Sequence, residues 1–345
     1  MLLRYIDQFR ALAIIMIVAG HVWFLMGWDQ NGTEPRFIAA LAANGTLPFV
    51  FIAGFLFKYL MPKFEAKKYY LSKLRNVIAP YILISIPAII LVISHHPGDV
   101  VLPPDFYSWN VLSQVTWLYL TGDHLIPLWF IPMIAIIYLI APLLVVLDRD
   151  GRFYYAVPVL FAASLFLHRP TANVGPLHAF LFYLPIYLIG MWTARNVEAV
   201  LAFVARWKYV LWLAFAILVL MGTFLLERPD NTFANGYFVL PKDVISWIRI
   251  QKTILVFLML YYLNRYETRI GDRLHPIADA SFGIYFVHYY VIAAIEILTG
   301  HLGIKIGGGV IVYLALTAGV CAVSFLIVRT VKALAGPQSR LVIGS

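Results

Sequence analysis

The chain has 345 residues, of which 62% are hydrophobic and only 12% charged, whereas a soluble domain is about half apolar and a quarter charged. With a mean hydropathy of +0.84, it reads as an all-α polytopic membrane protein and not as a soluble enzyme or a DNA-binding protein. The net charge of +9 sits in short segments between apolar runs, as the positive-inside pattern expects, so it does not point to nucleic acid.

The first apolar run, Asp7 to Trp28, begins at Arg10 and carries His21 near its middle. Its basic start fits a signal peptide, but it continues into Trp23, Phe24 and Trp28 and not into a small-residue cleavage site. A hydrocarbon core of roughly 30 Å takes about 20 helical residues. That ruler predicts about ten transmembrane helices, near 7–28, 36–60, 76–95, 126–147, a short 153–168, 176–194, 208–226, 243–264, 277–299 and 307–329. The aromatic, half-polar segment 106–122 predicts a helix lying against the headgroups. No soluble domain, long linker or internal repeat interrupts the pattern, which predicts a single membrane-embedded domain over 1–345.

Lysine and arginine set the orientation. With both termini cytoplasmic, the outer segments hold only Arg36, Arg169, Arg228, Lys242 and Lys305, and most of the 26 basic residues fall inside. The run from Lys63 to Arg75 reads first as such an inner loop. The one cysteine, Cys321, allows no disulfide and no cysteine-based metal site within the chain. His95-His96 in an outer loop is a weak metal motif, and no metal site is expected. The two "NGT" sequons, at Asn31 and Asn44, read as chance.

An ionisable group near the bilayer centre costs several kcal/mol, roughly 2.5 upward on insertion scales, so such residues point to function. Here they are His21, Arg249, Lys252 and His288. At about 1.5 Å per residue, His21 lies roughly 16 Å beyond Arg10. His288 reaches a similar depth from the same side, and Lys252 approaches it from the other. One polar cavity lined by these groups is the functional reading, with Glu296 near its outer end. The plainer reading makes His288 a tie to a neighbouring helix and lets Lys252 and Arg249 pair with acids or reach outward to water.

Four stretches carry a resemblance. "FRALAIIMIVAGH", with Asp7 just before it, resembles the first-helix signature of the acyltransferase family 3 membrane acyltransferases: an arginine, ten residues, a histidine. "LPFVFIAGFLF" is similar to the second-helix motif, with Ala53 where the family has serine. "PLWFIPMIAIIYLIAPLL" resembles the leucine-tryptophan-phenylalanine helix, and "ASFGIYFVHYYVI" the late motif with tyrosine and histidine three apart. The basic pair before the third helix departs in spacing, as Lys73-Leu74-Arg75.

The resemblance spans essentially the whole chain. It implies transfer of an acyl group, often acetyl, from cytoplasmic acetyl-CoA or another acyl-CoA to a hydroxyl of an envelope glycan or lipid-linked glycan, in a bacterial inner membrane. It implies no permanently bound cofactor. A hydroxyl needs a base near its proton, and an imidazole with a pKa of about 6.5 supplies one. His21, Arg10 and His288 are then the catalytic candidates. Arg10, Lys73 and Arg75 are the candidates for the donor's phosphates, and Lys252, Arg249, Trp129 and Tyr285 for the acceptor. The alternative is a transporter or flippase of a glycan or lipid intermediate, which the buried charges favour and the lack of an internal repeat disfavours.

Overall fold

The computed structural model describes residues 3–29, 31–95, 102–167, 175–225 and 244–345. His96, Arg169, Arg228 and Lys242, named above in outer segments, lie outside the described residues. The described chain is all-helical. In order it forms α1 (Arg4–Leu25), α2 (Thr33–Ala42), α3 (Thr46–Leu60), α4 (Ala66–Lys73), α5 (Ala79–His95), α6 (Val111–Thr121), α7 (Phe130–Leu139), α8 (Ala141–Asp148), α9 (Val157–Ser164), α10 (Pro176–Arg195), α11 (Val197–Phe224), α12 (Val244–Ile270), α13 (His275–His301), α14 (Val310–Ala335) and α15 (Ser339–Ile343).

Among the described residues, seven helical segments are long and apolar enough to cross a membrane, or eight if α7 and α8, bent by 52°, count as one span. Two of the ten expected spans do not qualify, for different reasons. Segment 153–168 holds only a short 3-10 turn and the eight residues of α9, about 12 Å of helix. The 27 residues of α12 reach about 40 Å, long enough to cross. Along that length α12 carries Arg249, Lys252, Arg265, Glu267 and Arg269.

The chain divides into two compact units. The first comprises Met1–Leu60, Ile186–Arg228 and Leu240–Arg329. In it α1 lies alongside α13, and α12 packs on α1, α3 and α11. Arg10 bonds Ser281 and His21 bonds His288, so α1 and α13 run parallel. The 36–60 run lies in one membrane-long segment, Thr33–Lys63, as expected, but its helix is interrupted at Asn44, whose φ is +56°. The break ends α2 and starts α3, and it leaves the last carbonyls of α2 without helical partners. Further on, α3 and the second half of α10 touch backbone to backbone. A Cβ on Gly54 would stand 2.0 Å from the Tyr187 carbonyl oxygen, and one on Gly190 2.1 Å from that of Phe51. Only hydrogen side chains allow this crossing.

The second unit comprises Met61–Pro185, Pro229–Val239 and Thr330–Ser345. A π-helical turn, Leu74–Ile78, joins α4 to α5 without a break. The segment expected to lie on headgroups forms α6, capped by the Asn110 side chain on the Ser113 amide. Phe106 and Leu118 are fully buried with Ile89 and Val92 of α5, and the Tyr81 and Tyr119 hydroxyls donate across to carbonyls of the opposite helix. Gly122, at φ +79°, ends α6. Here a left-handed turn needs a residue without a Cβ.

Candidate functional site

In the first unit the two mid-helix histidines meet. His288, on α13, is fully buried. Its Nδ1 lies 3.0 Å from the Ile284 carbonyl oxygen and 2.8 Å from that of Tyr285. Its Nε2 lies 3.0 Å from Nδ1 of His21. Carbonyl oxygens only accept, so Nδ1 of His288 carries a proton and donates it. A neutral His288 then presents its lone pair at Nε2. His21 must therefore donate from Nδ1, which leaves the basic lone pair of a neutral His21 on Nε2. The tautomers follow from the hydrogen-bond network. The partly exposed His21 thus has its ring orientation and its basic nitrogen set by a buried neighbour that is itself fixed by a helix backbone.

The helix frame explains the placement. Arg10 and His21 are eleven residues apart on α1, three turns at about 3.6 residues each, and so share a face. At the lower end of that face, Nη1 of Arg10 donates to Oδ1 of Asp7 at 3.2 Å and Nη2 to Oγ of Ser281 at 3.2 Å. The other oxygen of Asp7 lies 2.5 Å from Nδ1 of His275. Gln8 donates to the carbonyls of Glu267 and Gly271, and Arg4 pairs with Asp272 at 3.2 Å. The start of α1 is therefore tied to the end of α12 and the start of α13, and these ties set the register that brings His21 to His288.

Lys252 and Arg249 are buried on α12, at 0% and 1% exposure. The ammonium of Lys252 donates to the Leu41 carbonyl, and Gln251 beside it to that of Ala40 at 3.1 Å. Both serve the carbonyl end of α2, where a helix dipole favours a cation. The adjacent Ala42 carbonyl stands 3.1 Å from where a Cβ of Gly20 would be, so the Lys252 end of α2 abuts α1 one residue before His21. Tyr285 is buried, its ring stacked on Phe282 at 5.8 Å. The tyrosine whose ring meets His21 is the partly exposed Tyr289, edge-on with centroids 5.8 Å apart. The tyrosine-histidine spacing of the late motif drew attention to Tyr285 and passed over it. Ala53 is partly buried in α3 and Glu296 is exposed on α13.

The remaining candidates lie in the second unit. Trp129 stacks on Tyr183 at 5.5 Å. The Lys73 ammonium sits over the rings of Tyr138, at 4.5 Å, and Tyr69, at 5.1 Å, while Arg75 is exposed in the π-helical turn. Such turns interrupt helices most often at functional sites. His95 is exposed, with Nδ1 2.6 Å from Oγ of Ser94. This unit also holds an imidazole that no motif marked. His124 is 3% exposed, donates from Nδ1 to the Leu118 carbonyl at 3.0 Å, and packs beside Tyr81 and Tyr119. Its buried Nε2 has no hydrogen-bond partner. Burial lowers its pKa from 6.5 to about 4, against the opposing pull of the Leu118 carbonyl. Among the described residues no three His, Cys, Asp or Glu side chains gather in a metal-holding group.

A family model, the acyltransferase domain of the acyltransferase 3 family, matches residues 3–329. No curated protein and no solved structure matches the chain.

Proposed function

Because the chain belongs to the acyltransferase 3 family, and so is an integral membrane acyltransferase, we propose that it moves an acyl group, acetyl before others, from a cytoplasmic acyl-CoA to a hydroxyl of an envelope carbohydrate. In this reading the membrane is the bacterial inner membrane, crossed ten times with α12 and the short α9 segment included, and both termini are cytoplasmic. The observation that carries it is the 3.0 Å contact between His21 and His288. It leaves a basic nitrogen on a partly exposed imidazole at the depth where reactants from opposite faces can meet.

The chemistry balances with this chain's groups. Nε2 of His21 takes the proton of the acceptor hydroxyl as its oxygen attacks the thioester carbonyl. The tetrahedral intermediate collapses with loss of the thiolate, and the proton on His21 passes to that sulfur. The products are an ester and free coenzyme A. During the step His21 is an imidazolium, and its Nδ1–H bond to the lone pair of His288 strengthens, much as the third member of a hydrolase triad supports its histidine. Arg10, held by Asp7 and Ser281, still has guanidinium hydrogens to offer a phosphate of the donor; in the second unit Lys73 and Arg75 are candidates of the same chemistry. Lys252 and Arg249 shape the acceptor side.

The test uses purified protein in lipid nanodiscs, given acetyl-CoA labelled in the acetyl group and glycan from the envelope of the source cell. Label entering the glycan, with an equal amount of free thiol released, supports the reading. Absence of thiol release under every donor tried, with glycan crossing sealed vesicles instead, would replace it by transport.

A further inference from the structure

At the lower end of α1 a single carboxylate serves two nitrogen groups. Oδ1 of Asp7 accepts from Nη1 of Arg10 at 3.2 Å, and Oδ2 lies 2.5 Å from Nδ1 of His275. A carboxylate only accepts, so Nδ1 of His275 carries a proton whether its ring is neutral or charged. The neutral ring has a lone pair at Nε2 and the charged ring an N–H there. The His275 side chain is 62% exposed, against 13% for Asp7 and 26% for Arg10. Through the shared carboxylate the contacting nitrogens of Arg10 and His275 stand within about 8 Å of each other. Arg10 spends one N–H on Asp7 and one on Ser281, out of the five that a guanidinium offers. The charges around His275 come from three elements. From α1 come Arg4, Asp7 and Arg10, and Arg4 pairs with Asp272 at 3.2 Å. The end of α12 and the turn after it add Glu267 and Arg273, while the Arg269 guanidinium lies over the Tyr266 ring. α13 itself adds Asp279, one turn on. Within this set only the imidazole is of a kind that changes charge between about pH 5 and pH 8.

We propose that His275 is a positioning residue of the donor site, and that its charge decides how strongly a phosphate of the acyl-CoA is held at Arg10. The inference rests on the proposed function for the presence of an acyl-CoA there. With His275 charged, two cations share one carboxylate, and the trio offers an incoming phosphate a net positive charge. With His275 neutral, Asp7 cancels Arg10 and the trio has no net charge. Donor affinity is therefore highest on the acid side and falls as the imidazole loses its proton. The coupling is reciprocal, so bound phosphate holds the proton on His275. The sharing of Asp7 acts in the same direction. A charged His275 draws the carboxylate toward itself and leaves more of the Arg10 charge for the phosphate. In so exposed a setting one unit charge at this range is worth about fivefold in affinity.

The experiment is equilibrium binding of coenzyme A to the full chain in nanodiscs at about pH 6 and about pH 8, for wild type, His275→Gln and His275→Arg. Glutamine can donate to Asp7 without carrying charge, and arginine carries charge at both pH values. The ionisation of the phosphate itself acts on all three proteins alike and cancels in their ratios. His275→Gln is expected to bind about fivefold more weakly than wild type at the lower pH and equally at the higher. His275→Arg should match wild type at the lower pH and bind about fivefold more tightly at the higher. Should one variant not fold, the other decides by its own ratio to wild type. A glutamine deficit of the same size at both pH values makes His275 a plain tie between helices and overturns the inference, as do coincident affinities for all three proteins. Coenzyme A that binds none of them at either pH overturns the donor reading and this inference with it, whereas binding with ratios that do not change with pH overturns only the role of His275.

Discussion

His288 in the first unit and His124 in the second are built alike up to one atom. Both are almost wholly buried, and both donate from Nδ1 to backbone carbonyls, His124 near the end of α6 and His288 in the middle of α13. Both therefore carry a lone pair on Nε2. In His288 that lone pair accepts from a second imidazole 3.0 Å away, and in His124 it meets no partner. A buried acceptor left unpaired costs about 1–3 kcal/mol. The difference teaches that burial and a fixed tautomer do not make a proton-handling site. In the proposed function it is the partly exposed imidazole beside His288 that takes a proton from a substrate while its neighbour supports the charge.

The comparison breaks most sharply at His21. His21→Ala is expected to lower acyl transfer by roughly 100-fold or more at unchanged abundance in the membrane. Turnover near wild type in that variant removes His21 as the base. His288→Phe keeps the buried volume but offers no acceptor to His21, and it should cost about 10- to 100-fold. His288→Gln, whose amide oxygen can accept from Nδ1, should recover part of that loss. If phenylalanine and glutamine behave alike, His288 only fills space. Arg10→Lys retains charge yet loses the fork shared between Asp7 and Ser281. The expected outcome is a weaker donor half-saturation with a smaller change in maximal rate. Coincident donor titrations would make Arg10 a structural anchor.

The smallest effect on activity belongs to His124. His124→Phe should leave acyl transfer at the wild-type level, and the melting temperature unchanged or raised, because the Leu118 carbonyl still accepts from the Gly122 amide. Its signature is acid stability. The unfolded chain binds the His124 proton near pH 6.5 and the folded chain only near 4. Between those values the unfolded state holds more protons, so stability falls as the pH drops from 6.5 toward 4. The phenylalanine variant should lose that part of the acid sensitivity, and unchanged acid melting curves would show that His124 is not buried neutral. A loss of transfer in His124→Phe would mean that the two imidazoles are not as different as their geometry implies.

The parts of this comparison were unequally legible in the sequence. His21 and His288 stood out because an imidazole inside an apolar run is costly, and counting rise per residue already put them at one depth. Their direct bond depends on the Arg10–Ser281 and Gln8 ties, which join residues more than 250 positions apart. Lys252 was legible as buried, but its partner was not. The Leu41 carbonyl is available because the chain turns at Asn44, and the turn signal Asn44-Gly45, with Pro48 just after it, was passed over inside a run read as one span. His124 was invisible because "TGDHLIP" has the composition of an exposed loop, and its burial comes from the tyrosines of α5 and α6. Tyr289 was missed beside a motif that features Tyr285, although the two are one turn apart on α13; it is the later ring that stands level with His21.

The two rings of the candidate site are encoded 267 residues apart, and that separation has a meaning in time. A ribosome adds about 5–20 residues per second, so His21 sits in the membrane for roughly 13–50 seconds before His288 exists. Through that interval α1 carries an imidazole without its fixed acceptor and an Arg10 without Ser281. Its companions, if any, are lipid, the insertion machinery or the spans already made. A chain interrupted anywhere before the ninth expected span is thus a finished-looking bundle with no assembled pair. Assembly of the site waits for α13, and a product that stops before it cannot spend acyl-CoA by the proposed route.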